Sequence, residues 1–270
     1  AFHEAAIFFG GMDVLSGAGY AVVSLAPDAS FLWGSQLFPG SGDVAVDPVS
    51  GDVLVLGSYT GTVDLGMGPV MSWVEGGVFF GRISTVTGDV LDYRASGGPA
   101  TISPIYLSLE AYANGDQLAV INYYNNLIDL GQSQPVPTTA GYVAARIDAA
   151  GEVTWLDHYY APNPMGYALT FLAAEPTLTD AMRLVGFASG SFDLGDGMIA
   201  DSSFVLTVAG DGSYVDALTY PLSLIFTDVG RASDGVDIVC GVHTGAPEML
   251  AGELLMNAPS GSGFVARLAP

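Results

Sequence analysis

The chain has 270 residues, and six basic against 28 acidic side chains give it a net charge of −22. Half of its residues are apolar, 13% are charged and 36 are glycine, so it can bury a large core and is not a disordered acidic tail. It contains no lysine, which argues against nucleic-acid binding and against adhesion to an anionic lipid surface, because both need clustered basic side chains.

The opening residues carry a partial unit: Ala6-Ile7-Phe8-Phe9-Gly10, Asp13, Tyr20-Ala21-Val22-Val23-Ser24-Leu25 and Phe31-Leu32-Trp33-Gly34-Ser35. The stretch from Ala5 to Pro27 is nearly uncharged, but Asp13 and interspersed glycines divide it, which predicts two strands rather than a membrane helix. No basic segment precedes an apolar one here, so a signal peptide is expected to be absent or already removed. Residues 41–98 carry a full unit with Asp43-Val44-Ala45-Val46-Asp47, Asp52-Val53-Leu54-Val55-Leu56-Gly57, Val63-Asp64-Leu65-Gly66, Val78-Phe79-Phe80-Gly81-Arg82-Ile83 and Val90-Leu91-Asp92-Tyr93. Residues 99–163 repeat it as Leu118-Ala119-Val120-Ile121, Ile128-Asp129-Leu130-Gly131, Tyr142-Val143-Ala144-Ala145-Arg146-Ile147 and Val153-Thr154-Trp155-Leu156. Residues 164–221 repeat it as Met182-Arg183-Leu184-Val185-Gly186, Phe192-Asp193-Leu194-Gly195, Phe204-Val205-Leu206-Thr207-Val208 and Tyr214-Val215-Asp216-Ala217-Leu218. Residues 222–270 hold a last partial unit, with Val236-Asp237-Ile238-Val239-Cys240-Gly241 and Phe264-Val265-Ala266-Arg267-Leu268. Asp129 follows Asp64 by 65 residues and Asp193 follows Asp129 by 64, a long and regular period.

Short runs of Val, Ile, Leu, Phe and Tyr between Gly, Asp, Asn, Ser and Pro read as strands joined by tight hairpins, and no segment sustains helical periodicity. The second and third runs of each unit are almost continuously apolar, as in strands covered on both faces. This predicts an all-β fold, a single β-propeller domain of about five four-stranded blades whose terminal blades are incomplete or shared. The rival all-β reading is an outer-membrane barrel, whose strands would alternate apolar and polar residues more strictly than these do. The single cysteine, Cys240, excludes an intrachain disulfide and reads as a small buried apolar residue.

The run Gly51-Asp52-Val53-Leu54-Val55-Leu56-Gly57-Ser58-Tyr59-Thr60-Gly61, followed by Val63-Asp64-Leu65-Gly66, Gly77-Val78-Phe79-Phe80-Gly81-Arg82-Ile83 and Gly88-Asp89-Val90-Leu91, resembles the bacterial beta-propeller repeat family. Repeats of that family typically run Gly-Asn-Val-Tyr-Val-Thr-Gly, an Asp-Phe-Gly turn, Phe-Val-Ala-Lys-Leu and Gly-Asn-Val-Leu-Trp. The resemblance implies a propeller in a secreted or cell-surface bacterial protein and no defined activity. The chain departs from it in placing Arg82, Arg146 and Arg267 where the family usually has Lys, and in beginning and ending partway through a repeat.

Four sets of residues could carry function. The recurrent Asp-Leu-Gly at Asp64, Asp129 and Asp193 can hold turns, and Asp193, Asp196 and Asp201 are the best place for a Ca²⁺ ion, although no Asp-x-Asp-x-Asp-Gly loop occurs. Arg82, Arg146 and Arg267 are expected to reach a sheet edge and pair with a carboxylate, for which the Asp of the Asp-Leu-Gly turn is the candidate. Tyr123, Tyr124, Trp155, His158, Tyr159 and Tyr160 either fill the space between units or form a surface for a protein or a sugar. His3, His158 and His243 lack zinc-ligand spacing, and no nucleophile elbow or phosphate-binding loop is present, so the chain reads as non-catalytic and without a cofactor. The expected role is a secreted or cell-surface scaffold for protein binding or self-assembly, with no nucleic acid and no membrane insertion. The alternative is a glycan-binding, lectin-like propeller that could require Ca²⁺, and a glycoside hydrolase using a carboxylate pair is the remote third.

Overall fold

The computed structural model describes residues 2–3, 7–9, 12–15, 19–36, 42–59, 61–63, 68–71, 77–97, 107–123, 141–160, 168–176, 180–194, 198–232, 236–243, 248–250, 253–255 and 262–268. These residues form an all-β protein: every regular element is a strand, every pairing is antiparallel, and no helix occurs among them. No described helix is therefore long and apolar enough to cross a membrane.

Five larger sheets follow one another along the chain. The first contains β1 (Phe2–His3), β4 (Gly19–Leu25) and β5 (Phe31–Gln36), with a separate pair, β2 (Ile7–Phe9) and β3 (Met12–Leu15), between β1 and β4. The second contains β6 (Gly42–Val46), β7 (Val53–Tyr59), β10 (Gly77–Ile83) and β11 (Val90–Gly97), again with a small pair, β8 (Thr62–Val63) and β9 (Val70–Met71), between its middle strands. The third is β12 (Leu107–Ala111), β13 (Gln117–Tyr123), β14 (Gly141–Ile147) and β15 (Val153–Tyr160). The fourth is β16 (Ala168–Pro176), β17 (Met182–Asp193), β18 (Met198–Val208) and β19 (Tyr214–Pro221). The fifth is β20 (Leu224–Arg231), β21 (Asp237–His243) and β24 (Ser262–Arg267), with the pair β22 (Glu248–Leu250) and β23 (Glu253–Leu255) between the last two. No strand pairing joins the first sheet to the fifth among the described residues.

Consecutive strands pair because their connections are short. In the hairpins after β4, β12, β14 and β18 the first residue's N–H donates to the fifth residue's carbonyl, as from Asp148 to Glu152 and from Ala209 to Ser213. The fourth residue then takes a positive φ, which glycine adopts without cost: Gly115 at 88°, Gly151 at 83° and Gly212 at 88°. In the first sheet Ala29 holds that conformation at 64°, at a cost of about 1 kcal/mol.

The sheets stack face to face in chain order, and the core is divided among their junctions. Because strand side chains alternate, Leu54 and Leu56 of β7 meet the third sheet, whereas Val53 and Val55 pack with Trp33 of the first. Likewise Ala119 and Ile121 of β13 face the second sheet while Leu118 and Val120 face the fourth. Strands β7 and β14 are buried at every position, which is why their sequences are apolar without alternation. The outer strand β19 is mostly exposed. At the opposite edges β6, β12, β16 and β20 lie beside one another in that order.

One irregularity recurs. The ladder between the third and outer strands slips by one residue at Ser24/Leu25, Arg82/Ile83, Arg146/Ile147 and Thr207/Val208. Each slip is a β-bulge just before the hairpin, and it places Trp33, Asp92, Trp155 and Asp216 at equivalent points of the four outer strands.

Candidate functional site

The third-strand arginines of the second, third and fifth sheets lie at the hairpin end of their strands. Register sets Arg82 opposite Leu54, Arg146 opposite Leu118 and Arg267 opposite Ile238. These positions are at the start of the second strand, whereas the Asp-Leu-Gly sequences follow that strand's other end. The carboxylates that Arg82 and Arg146 meet therefore come from the hairpins between the first and second strands, which corrects the expected pairing with Asp-Leu-Gly. The Arg82 guanidinium lies 3.2 Å from Asp47 and 4.0 Å from Asp52. Arg146 lies 2.7 Å from Asp116 of its own sheet and 2.7 Å from Asp180 of the next, donates to Gly210 O, and covers the Tyr112 ring at 4.4 Å. Hydrogen bonding to Asp180, aided by Asp116, holds Arg146 protonated against its burial. Burial would raise the Asp47 carboxyl, but bonds from Val49 and Ser50, together with the Arg82 charge, bring it below the ordinary Asp range.

In the fourth sheet the third-strand position is Thr207, and the charge has crossed the ladder. Arg183 stands directly opposite on β17, donates to Thr207 Oγ1, and reaches Asp237 of the fifth sheet at 2.8 Å. Asp237 also receives Arg231 at 2.8 Å. These ion pairs staple the third sheet to the fourth and the fourth to the fifth. Between the second and third sheets the comparable tie is Asp43 of β6, which accepts the Leu109 N–H at 2.9 Å. Burial raises the Asp43 carboxyl despite that bond, and Asp228 adds to the rise.

A cleft of about 470 Å³ opens between the second and third sheets. Phe80, Arg82, Asp92 and Arg94 line one side, and Gln117, Ile147 and the Ala149–Gly151 turn line the other. The other sheet junctions explain the opening. Trp33 lies over the next sheet's hairpin at Gly88, where an added Cβ would come within 2.9 Å of indole Cδ2 and Cε3. Trp155 lies over Gly212 in the same pose, with the same two atoms 3.2 Å away. At the equivalent point of the second sheet the residue is Asp92, and among the described residues the hairpin at Gly151 receives no indole. Arg94, two residues further on, partly takes its place: Cζ and Nε lie 3.4 Å from a Cβ at Gly151, and the guanidinium donates to Gly151 O at 2.6 Å and Glu152 at 2.8 Å. The remaining volume stays open.

The aromatic residues singled out in the sequence do not all lie on one surface. Tyr159 is 3% exposed and packs against Phe171 at 5.0 Å in the core between the third and fourth sheets, so it is removed from any accessible face. Burial drives its phenol pKa upward. Trp155 borders the same core from the hairpin end. His158 is half-buried on β15, and burial lowers its pKa despite the nearby Asp157. Tyr123 and Tyr160 sit at the opposite end of the sheet, each paired in register with Gly141, and Tyr124 lies outside the described residues.

Asp193 closes β17 in exposed backbone, and Asp201, at φ 42°, accepts the Gly190 N–H at 2.8 Å. Asp64, Asp129 and Asp196 lie outside the described residues. Among the described residues no three His, Cys, Asp or Glu side chains gather as metal ligands. Cys240 is half-buried on β21, close to Thr227. Arg267 is exposed on β24.

No family model matches the chain, and no curated protein matches it. Among the solved structures it is similar to a protein of unknown function from Bacteroides caccae, at 11% identity and a TM-score of 0.44, over 88% of this chain and 72% of that one.

Proposed function

We propose that the chain is a β-propeller of about five four-stranded units, akin to the bacterial beta-propeller repeat family. It serves as a secreted or cell-surface bacterial scaffold that binds a protein partner or assembles with copies of itself, without catalysis. Face-to-face stacking of the sheets and the row of first strands at one edge favour the propeller. The inner edges of a propeller bring its first strands together around an axis.

The observation that carries the scaffold role is the outer edge of the fifth sheet. Strands β5, β11, β15 and β19 complete the other sheets on that side, whereas β24 has no outer neighbour among the described residues and presents Val265 at 73% exposure. An uncovered strand edge offers backbone donors and acceptors to an added strand. Light scattering of the chain, with and without Ca²⁺, tests this. The expected result is mass above the monomer that Val265→Lys lowers, because a charge beside an edge blocks strand addition. A strict monomer at all concentrations that captures no strand-donating peptide overturns the reading.

A further inference from the structure

We propose that the cleft between the second and third sheets binds a planar fused aromatic ring bearing an N–H donor, an indole or its like. The chain supplies the precedent itself. At two other junctions the same bulge delivers an indole to the same place, over a glycine hairpin: Trp33 at Gly88 and Trp155 at Gly212. At the junction between them in chain order the bulge delivers Asp92, which is exposed, and the receiving surface at Gly151 is left with an opening of about 470 Å³. That volume lies within the roughly 300–1,000 Å³ of small-ligand sites.

The lining matches such a ring. Phe80 and Ile147 give apolar contact, and the Arg94 guanidinium over Gly151 provides a flat cation for an aromatic face. Of the two indoles at this position, that of Trp33 donates its N–H to the hairpin carbonyl of Thr85 at 2.6 Å, whereas that of Trp155 is held by packing alone. The Ala149–Gly151 hairpin lines the cleft in the corresponding place. The Arg82 guanidinium also faces the cleft, with Asp47 and Asp52 as its ion-pair partners on one side. Both basic side chains are matched by carboxylates, so the site favours a neutral ring over an anion. The inference concerns this cleft alone and stands apart from strand addition at β24.

The test is titration of the whole chain with indole, N-acetyl-tryptophanamide and a short tryptophan-bearing peptide, followed by calorimetry and by backbone amide shifts. Binding with shifts centred on Ala149–Gly151 and on Asp92–Arg94 is the expected result. Free indole binding as well as the peptide assigns a small-molecule source, and binding of the peptide alone assigns a protein tryptophan; both uphold the proposal. Asp92→Trp supplies the missing indole in cis and is expected to weaken binding by roughly tenfold or more. The wild-type shift map keeps the proposal open to failure if that variant does not fold. Absence of binding, shifts elsewhere on the protein, binding that survives in a folded Asp92→Trp, or equal affinity for a saturated ring or a neutral sugar would overturn it.

Discussion

The junction between the second and third sheets and the junction between the third and fourth are built from the same parts and finished differently. At the second of these, Trp155 closes over Gly212 and Arg146 bridges Asp116 and Asp180 across the sheets. At the first, Asp92 replaces the indole, Arg94 makes an exposed ion pair with Glu152, and a half-buried carboxyl at Asp43 holds the inner strands. One junction is packed and the other open, although both rest on the same bulge. A single side chain at a bulge thus decides whether two stacked sheets seal or leave a site.

Substitutions can turn each junction toward the other. The largest effect is expected from Arg146→Ala, which leaves Asp116 and Asp180 facing each other. A loss of about 3 kcal/mol in denaturant unfolding is expected, at the low end for broken buried pairs because Asp180 is exposed. Trp155→Ala should open the sealed junction at about 2–3 kcal/mol, since the indole is partly buried. Asp92→Trp should do the reverse, adding about 1 kcal/mol and raising the unfolding temperature. Asp43→Asn acts through pH. The folded-state pKa of Asp43 is raised, so its contribution to stability is full below the unfolded value and is lost as pH rises through the folded one. The variant should therefore be the more stable at neutral pH and converge with the parent below about pH 4, as unfolding curves across pH would show. Arg94→Ala is the mildest, expected to cost about 0.5 kcal/mol at low salt and less at high salt, because that pair faces solvent.

Much of the strand order was legible in the sequence, because the buried middle strands leave unbroken apolar runs. Val53–Tyr59 and Gly141–Ile147 are of this kind, and both are buried throughout. The first strands of the third, fourth and fifth sheets were not singled out. In β12 the pattern is Leu107, Ser108, Leu109, Glu110, a short alternation that leaves only brief apolar signals. The tyrosines of Val153–Tyr160 look like a surface cluster in a linear reading, but alternation turns Tyr159 into the core. The cleft had a trace in the sequence: the segment Gly88-Asp89-Val90-Leu91-Asp92 ends in aspartate where Gly151-Glu152-Val153-Thr154-Trp155 ends in tryptophan. What makes that difference matter is the hairpin of the neighbouring sheet, and no single unit reveals it.

The exchange between Arg183 and Thr207 reaches beyond the fourth sheet. Position by position, that sheet has no arginine on its third strand; by location in space, a guanidinium is present at the hairpin end, supplied by the facing strand. What these sheets share is then a point between two strands rather than a position on one strand. Transplanting Arg183→Leu and Thr207→Arg together should be far gentler than either alone, and designers who graft or shuffle these units would need to move both positions as a single cassette.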